Sequence, residues 1–188
     1  MRKRILGTIL AAALVVTSAV SVFAAGSRTT QVTLVGESAA SYQVSEGTAE
    51  NFATAQEAAP QVVEKILQVN EGTLTLPTLV QQLKDVIANP TEGQTELNMT
   101  AEEVDALTQE VEGKSMVTQF FDLIPVNGGV QTEDGKYIAT ISVPSLTEAM
   151  TNVKILHFST ERLVWEIIDP TDVNYTNKQI TAEFQDLS

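Results

Sequence analysis

The chain contains no cysteine. That excludes a disulfide scaffold, a cysteine nucleophile, a thiolate metal site and an iron–sulfur cluster. It also removes the acyl-accepting residue of a lipoprotein. There is a single histidine, His157, whereas protein zinc sites mostly draw on several His or Cys ligands. Aromatic residues make up 5% of the chain, with one tryptophan, which is little from which to build an aromatic sugar-binding cleft. Basic residues are scarce too: 11 Lys and Arg against 24 Asp and Glu, for a formal charge of −13 over 188 residues. Such a surface repels nucleic-acid phosphates and anionic lipid alike. No nucleic-acid partner is expected, and high solubility is the plain consequence of the charge.

What is present begins at the amino end. Met1-Arg2-Lys3-Arg4 is a short basic segment, and an apolar run follows from Ile5 through Val16, interrupted only by Gly7 and Thr8. A stretch of small and polar residues then leads to Val22-Phe23-Ala24. Basic, apolar, then small is the order of a secretory signal peptide, with small side chains where signal peptidase requires them. Residues 1–25 are therefore read as a signal peptide, cleaved between Ala24 and Ala25 or one residue later. The alternative is an uncleaved anchor, but the apolar run is short against the ~20 residues of a membrane span. Contact with the membrane is expected only in transit.

Beyond the signal the composition changes once more. Residues 26–113 are rich in Ala, Gln, Glu and Thr, and residues 114–188 carry most of the aromatics. The shift near Gly113 is the candidate domain boundary. In the first part, Pro60 is placed to start a helix, with Val62, Val63, Ile66, Leu67 and Val69 as its apolar stripe and Asn70-Glu71-Gly72 as its end. Pro77 starts a second helix, with Leu79, Val80, Leu83, Val86 and Ile87 facing inward. Thr100 followed by Glu103 is a capping-box signature, and Val104, Leu107 and Val111 continue from it. Residues 49–59 are a fourth candidate helix, and residues 31–35 alternate like a strand. The second part predicts short strands over 116–124, 137–143, 153–158, 163–168 and 179–184, separated by turn residues such as Asn127-Gly128-Gly129 and Asp134-Gly135. The expected fold class is α+β: a small N-terminal helical region followed by an antiparallel β-sandwich-like module.

Four segments of the second part carry a resemblance. They are Val143-Pro144-Ser145-Leu146-Thr147, Val153-Lys154-Ile155-Leu156-His157-Phe158-Ser159-Thr160, Val164-Trp165-Glu166-Ile167-Ile168 and the stretch from Ile180 to Ser188. Together they resemble the C-terminal β-module of short exported proteins of unknown function from Gram-positive, clostridial gut bacteria. The helical part, with Val69-Asn70-Glu71-Gly72 after a helix, is similar to theirs. The resemblance implies export but carries no activity with it. Related modules continue past Leu-Ser and some then have an anchor, whereas this sequence reaches Ser188 with no sortase motif or apolar tail. Release after cleavage is the resulting expectation.

His157 would lie on the strand face of Val153 and Ile155. A general base needs a nucleophile and an orienting acid, and no serine here sits in a nucleophile-elbow pattern. Paired carboxylates of a glycosidase are not marked out by their surroundings. Asp169, Asp172 and Asn174 offer three oxygens within one loop, the candidate metal ligands, with calcium the cation they would suit; turn formation explains the same residues. No other cofactor is indicated. Trp165 shares a strand face with Leu163 and Ile167, which reads as core rather than as a sugar platform. The leading expectation is a non-enzymatic extracellular or cell-surface protein that binds or displays something, its partner an extracellular protein or glycan. The alternatives are a carboxylate-based hydrolytic or wall-modifying enzyme and a structural spacer.

Overall fold

The computed structural model describes residues 12–19, 32–89, 92 and 94–187. The basic segment Arg2-Lys3-Arg4 and the cleavage residues Ala24 and Ala25 lie outside them. The described residues form a mixed α+β fold with antiparallel strand pairing throughout.

The helices follow their sequence signals closely. A short turn of helix, α1 (Ser38–Ser41), precedes α2 (Ala53–Ala58), and α3 (Pro60–Glu71) starts on its proline. The left-handed Gly72, at φ 78°, ends α3, a conformation in which glycine carries no Cβ penalty. Helix α4 (Leu76–Ala88) is capped by the Thr75 side chain. Helix α5 (Ala101–Val111) has the full capping box: Thr100 Oγ1 accepts from the Glu103 amide, and Glu103 accepts from the Thr100 amide at 2.7 Å. These bonds from Thr100 hold the Glu103 carboxyl below its usual range.

The strands are β1 (Ala12–Ala19), β2 (Thr33–Leu34), β3 (Tyr42–Glu46), β4 (Ser115–Met116), β5 (Phe121–Pro125), β6 (Tyr137–Ser142), β7 (Met150–Ser159), β8 (Val164–Ile168), β9 (Asp172–Asn174) and β10 (Gln179–Phe184). One sheet runs β3-β5-β1-β7-β8, with β4 also on β1; the other runs β2-β6-β10-β9. Val62, Val63, Ile66, Leu79, Leu83, Val104 and Leu107 of the helices share a core with Leu14, Val16, Leu156, Phe158 and Trp165 of the larger sheet. The opposite face of that sheet, through Ala13, Val15, Leu123 and Ile155, shares a second core with Ile141, Ile180 and Phe184 of the smaller one. The six-stranded sheet is thus buried on both faces.

Two features depart from the sequence expectation. The structure does not set the helices apart as an N-terminal region: β2 and β3, from the same part of the chain, add strands to both sheets, and α3–α5 pack on strands from the other side of Gly113. The apolar stripes of these helices pack on the larger sheet as well as on each other. The second departure is β1. Ala12–Ala19, inside the segment read as a signal peptide, is the central strand of the larger sheet. Ala12 to Val16 are each at most 1% exposed. A strand covered on both faces must be a continuous apolar run, and periodicity alone cannot tell such a run from the apolar core of a signal.

Candidate functional site

A cluster of paired charged and polar side chains lies where β7 turns into β8. Register pairs His157 directly with Glu166 across the two strands. Leu163, at φ 57°, helps close the turn between them, and the Arg162 amide donates to Ser159 Oγ at 3.0 Å. The turn places the Arg162 guanidinium over Glu166 as a fork: Nη2 donates to Oε1 at 2.6 Å and Nη1 to Oε2 at 3.1 Å. Arg162 Nε also binds Asp186, which lies after β10. His157 Nδ1 stands 2.9 Å from the same Glu166 Oε1. A carboxylate only accepts, so Nδ1 carries the hydrogen. The imidazole ring is fully buried and meets Phe184 edge-on at 5.5 Å.

Electrostatics follow from this arrangement. Burial pushes the Glu166 carboxyl up, but the hydrogen bonds from His157 and Arg162 outweigh it and bring it down to about 2. The same bonds from Glu166 raise Arg162 further above its already high range. What the cluster does chemically is hold. It ties β7, the turn, β8 and the segment after β10 with charge-assisted bonds, the strong class of hydrogen bond. His157 Nε2, the atom a general base would use, is buried with no hydrogen-bond partner among the described residues.

Glu166 supplies a test of that reading. Its carboxyl is lowered from 4.5 to about 2, so its contribution is complete above the unfolded value and is lost as pH falls through the folded one. Glu166→Gln is expected to cost roughly 2–3 kcal/mol at pH 7. The wild-type advantage should be roughly halved by pH 3 and gone below pH 2. Urea denaturation of both proteins across that range checks it; a constant difference would mean that the carboxylate is not ion-paired in solution.

The other residues singled out from the sequence are dispersed. Asp169 is paired with Lys154 on the surface. Asp172 and Asn174 lie in β9 opposite Thr181 and Gln179, and Asn174 Oδ1 accepts from the Asn177 amide at 2.9 Å. Among the described residues no group of three or more His, Asp or Glu side chains stands together as a metal site. Trp165 is 3% exposed and packs against Phe120 and Phe158 with ring centres 5.7 and 5.1 Å away, so its face is not offered to a sugar. Arg162, Glu166 and Asp186 escaped the sequence reading. Two strand segments joined by a short turn could have paired His157 with Glu166, but nothing in the sequence reports that Asp186 returns to the same place.

A cavity of about 300 Å³ lies against the smaller sheet, walled by Gly36, Glu37 and Ser38 at the start of α1, by Ile138 and Thr140 of β6 and by Gln179 of β10. Ser38 Oγ accepts from the Thr140 amide at 2.9 Å, which fixes the wall between α1 and β6. Glu37 is exposed and brings a single negative charge to the rim. The volume is at the small end of ligand-binding pockets.

No known protein family, curated protein or solved structure matches the chain.

Proposed function

We propose that the protein is exported and acts outside the cytoplasm as a non-enzymatic binding or display protein, with its two sheets as a sandwich-like platform. The basic, apolar, small-residue order of residues 1–25 supports export. The observation that carries a binding role is the cavity beside α1, which gathers Glu37, Ser38, Thr140 and Gln179 around a space fit for a small polar group. A hydrolase would require converging carboxylates with separated pKa values. Among the described residues, Glu166 and Asp186 converge but are both held by Arg162, and Asp134 and Glu183 converge but are both held by Lys136. The partner class is an extracellular protein or glycan, engaged by a polar tip or side chain entering the cavity.

Titration of isotope-labelled protein with soluble cell-wall muropeptides, and separately with short synthetic peptides, tests the proposal by NMR. Shifts confined to Ser38, Thr140 and Gln179, weakened by Glu37→Gln, are the expected result. Silence in both titrations would remove the cavity as the binding site. Release of shortened glycan products would overturn the non-enzymatic assignment.

A further inference from the structure

The cavity beside α1 is built from two unlike walls. Val35, Val130 and Ile138 form an apolar wall, and each is only half-buried. Glu37, Ser38, Thr140 and Gln179 bring the polar groups. Most hydrogen-bonding capacity around it is already committed to the fold. The Val35 amide donates to the Thr140 carbonyl at 3.2 Å, and the Ile138 amide donates to the Val130 carbonyl at 3.0 Å. Thr140 Oγ1 and Thr181 Oγ1 bond each other at 2.9 Å, and Ser38 Oγ accepts from the Thr140 amide. The side chains left over are the Glu37 carboxylate and the Gln179 carboxamide. Neither has a hydrogen-bond or ion-pair partner among the described residues. The lysines on the adjoining segments are held elsewhere, Lys178 by the Leu146 carbonyl and Lys136 by Asp134 and Glu183. The charge of Glu37 is felt behind the apolar wall. Burial chiefly holds the Tyr42 phenol above its ordinary range, and Glu37 adds to the effect; that same hydroxyl bonds the amide and the carbonyl of Val130.

We infer that this cavity binds a primary alkylammonium, the end of a lysine-type side chain of a polypeptide partner, with its methylenes on Val35, Val130 and Ile138 and its nitrogen between Glu37 and Gln179. The inference deepens, and rests on, the reading of the cavity as the binding site. The walls select the class of ligand. An ammonium only donates, and the two uncommitted side chains supply a carboxylate and a carboxamide oxygen to accept. The stem of a lysine lies along apolar surface while its head stays at a wet rim, which is the layout of these walls. An anion would instead meet Glu37 at the rim of a chain of formal charge −13, and a cleft lined by one sign of charge gathers the opposite sign. A bare metal ion fits poorly. Calcium takes about six to eight oxygens, whereas the lining holds a single carboxylate and three hydrocarbon side chains. A guanidinium fork is best matched by a carboxylate fixed for bidentate bonding, and Glu37 is exposed with nothing among the described residues to fix it. A neutral polyol would leave Glu37 unpaired and set hydroxyls against the apolar wall.

The test titrates isotope-labelled full chain with Nα-acetyl-lysine methylamide, with the same compound bearing a hydroxyl in place of the ammonium, and with the free diamine cadaverine. The lysine compound should shift the amides of Val35, Ser38, Thr140 and Gln179 and bind at least about fivefold more tightly than the hydroxyl compound. Glu37→Gln, at an exposed position with no bond to the rest of the described fold, should weaken the lysine compound about threefold and leave the hydroxyl compound unchanged. High salt should weaken the wild type in the same sense, because a rim charge is screened. Cadaverine should bind no more tightly than the lysine compound. Equal binding of the hydroxyl and lysine compounds overturns the ammonium assignment while leaving the cavity as a binding site. Lysine binding that shifts other residues, or that is indifferent to Glu37→Gln, overturns it too. Tighter binding of cadaverine overturns the polypeptide source and makes a free amine the ligand. If these compounds, the muropeptides and the peptides all leave the four amides unmoved, the cavity reading falls and takes the inference with it.

Discussion

Leu14→Asp will abolish cooperative unfolding of the uncleaved chain when it is purified from the cytoplasm. Leu14 is fully buried, faces the helices in one core and lies opposite Leu156 of β7. A carboxylate there has two options, each costly. Ionised, it carries an unpaired charge into an apolar layer, a loss of several kcal/mol. Protonated, it still gives up the leucine contacts and leaves polar atoms without partners. Either exceeds a large part of the roughly 5–15 kcal/mol that holds an ordinary domain. Leu14→Met, which keeps the volume nearly constant, should cost less than about 1.5 kcal/mol. Circular dichroism during urea denaturation separates the three proteins. Equal midpoints for wild type and Leu14→Asp would show that the strand does not occupy the sheet in solution.

The contrast between β1 and the helices shows which parts of the fold were legible in the sequence. Helices α3, α4 and α5 were legible because their signals are local. Pro60, Gly72 and the Thr100–Glu103 pair act within one turn of the residues they govern, and the apolar stripes repeat at a helical period. Strands β6, β7, β8 and β10 were legible for similar reasons, since branched and aromatic runs end at turn residues. Strand β3 was missed because its burial alternates weakly: Tyr42 is buried, but the next four residues are not. It is held from outside, by pairing with β5 and by the Tyr42 hydroxyl, which both donates to the Val130 carbonyl and accepts from the Val130 amide. Strand β9 is not legible because Asp172 and Asn174 are turn-forming types that suggest a loop, and pairing with β10 overrides that preference. The His157 cluster was half legible. Cross-strand pairing could supply Glu166, whereas Asp186 is placed by the path of β10, a tertiary fact with no local mark. Strand β1 is the instructive case, because translocation and two-sided burial ask the same composition of a segment, and only the neighbours β5 and β7 distinguish them.

Trp165→Ala will cost about 3–5 kcal/mol, while Trp165→Phe will cost much less. Trp165 lies at the meeting point of the sheet and the helices, between Phe120 and Phe158 and under Met99, whose sulfur accepts from the Trp165 amide at 3.2 Å. Truncation to alanine removes the edge and tilted ring contacts and leaves a cavity that the rigid strand cannot collapse. The indole also carries a cost of its own: Nε1 is buried with no hydrogen-bond partner among the described residues, and an unpaired buried donor costs about 1–3 kcal/mol. Phenylalanine gives up part of the ring area but also removes that donor, so the two changes offset and the net loss should stay below about 2 kcal/mol. Since this is the only tryptophan, unfolding must be followed by circular dichroism rather than intrinsic fluorescence. The ratio of the two losses decides between core packing and a bound partner at Nε1. If phenylalanine is nearly as damaging as alanine, the indole N–H has a partner in solution, a buried water for instance; if it is close to wild type, the ring is there for its faces alone.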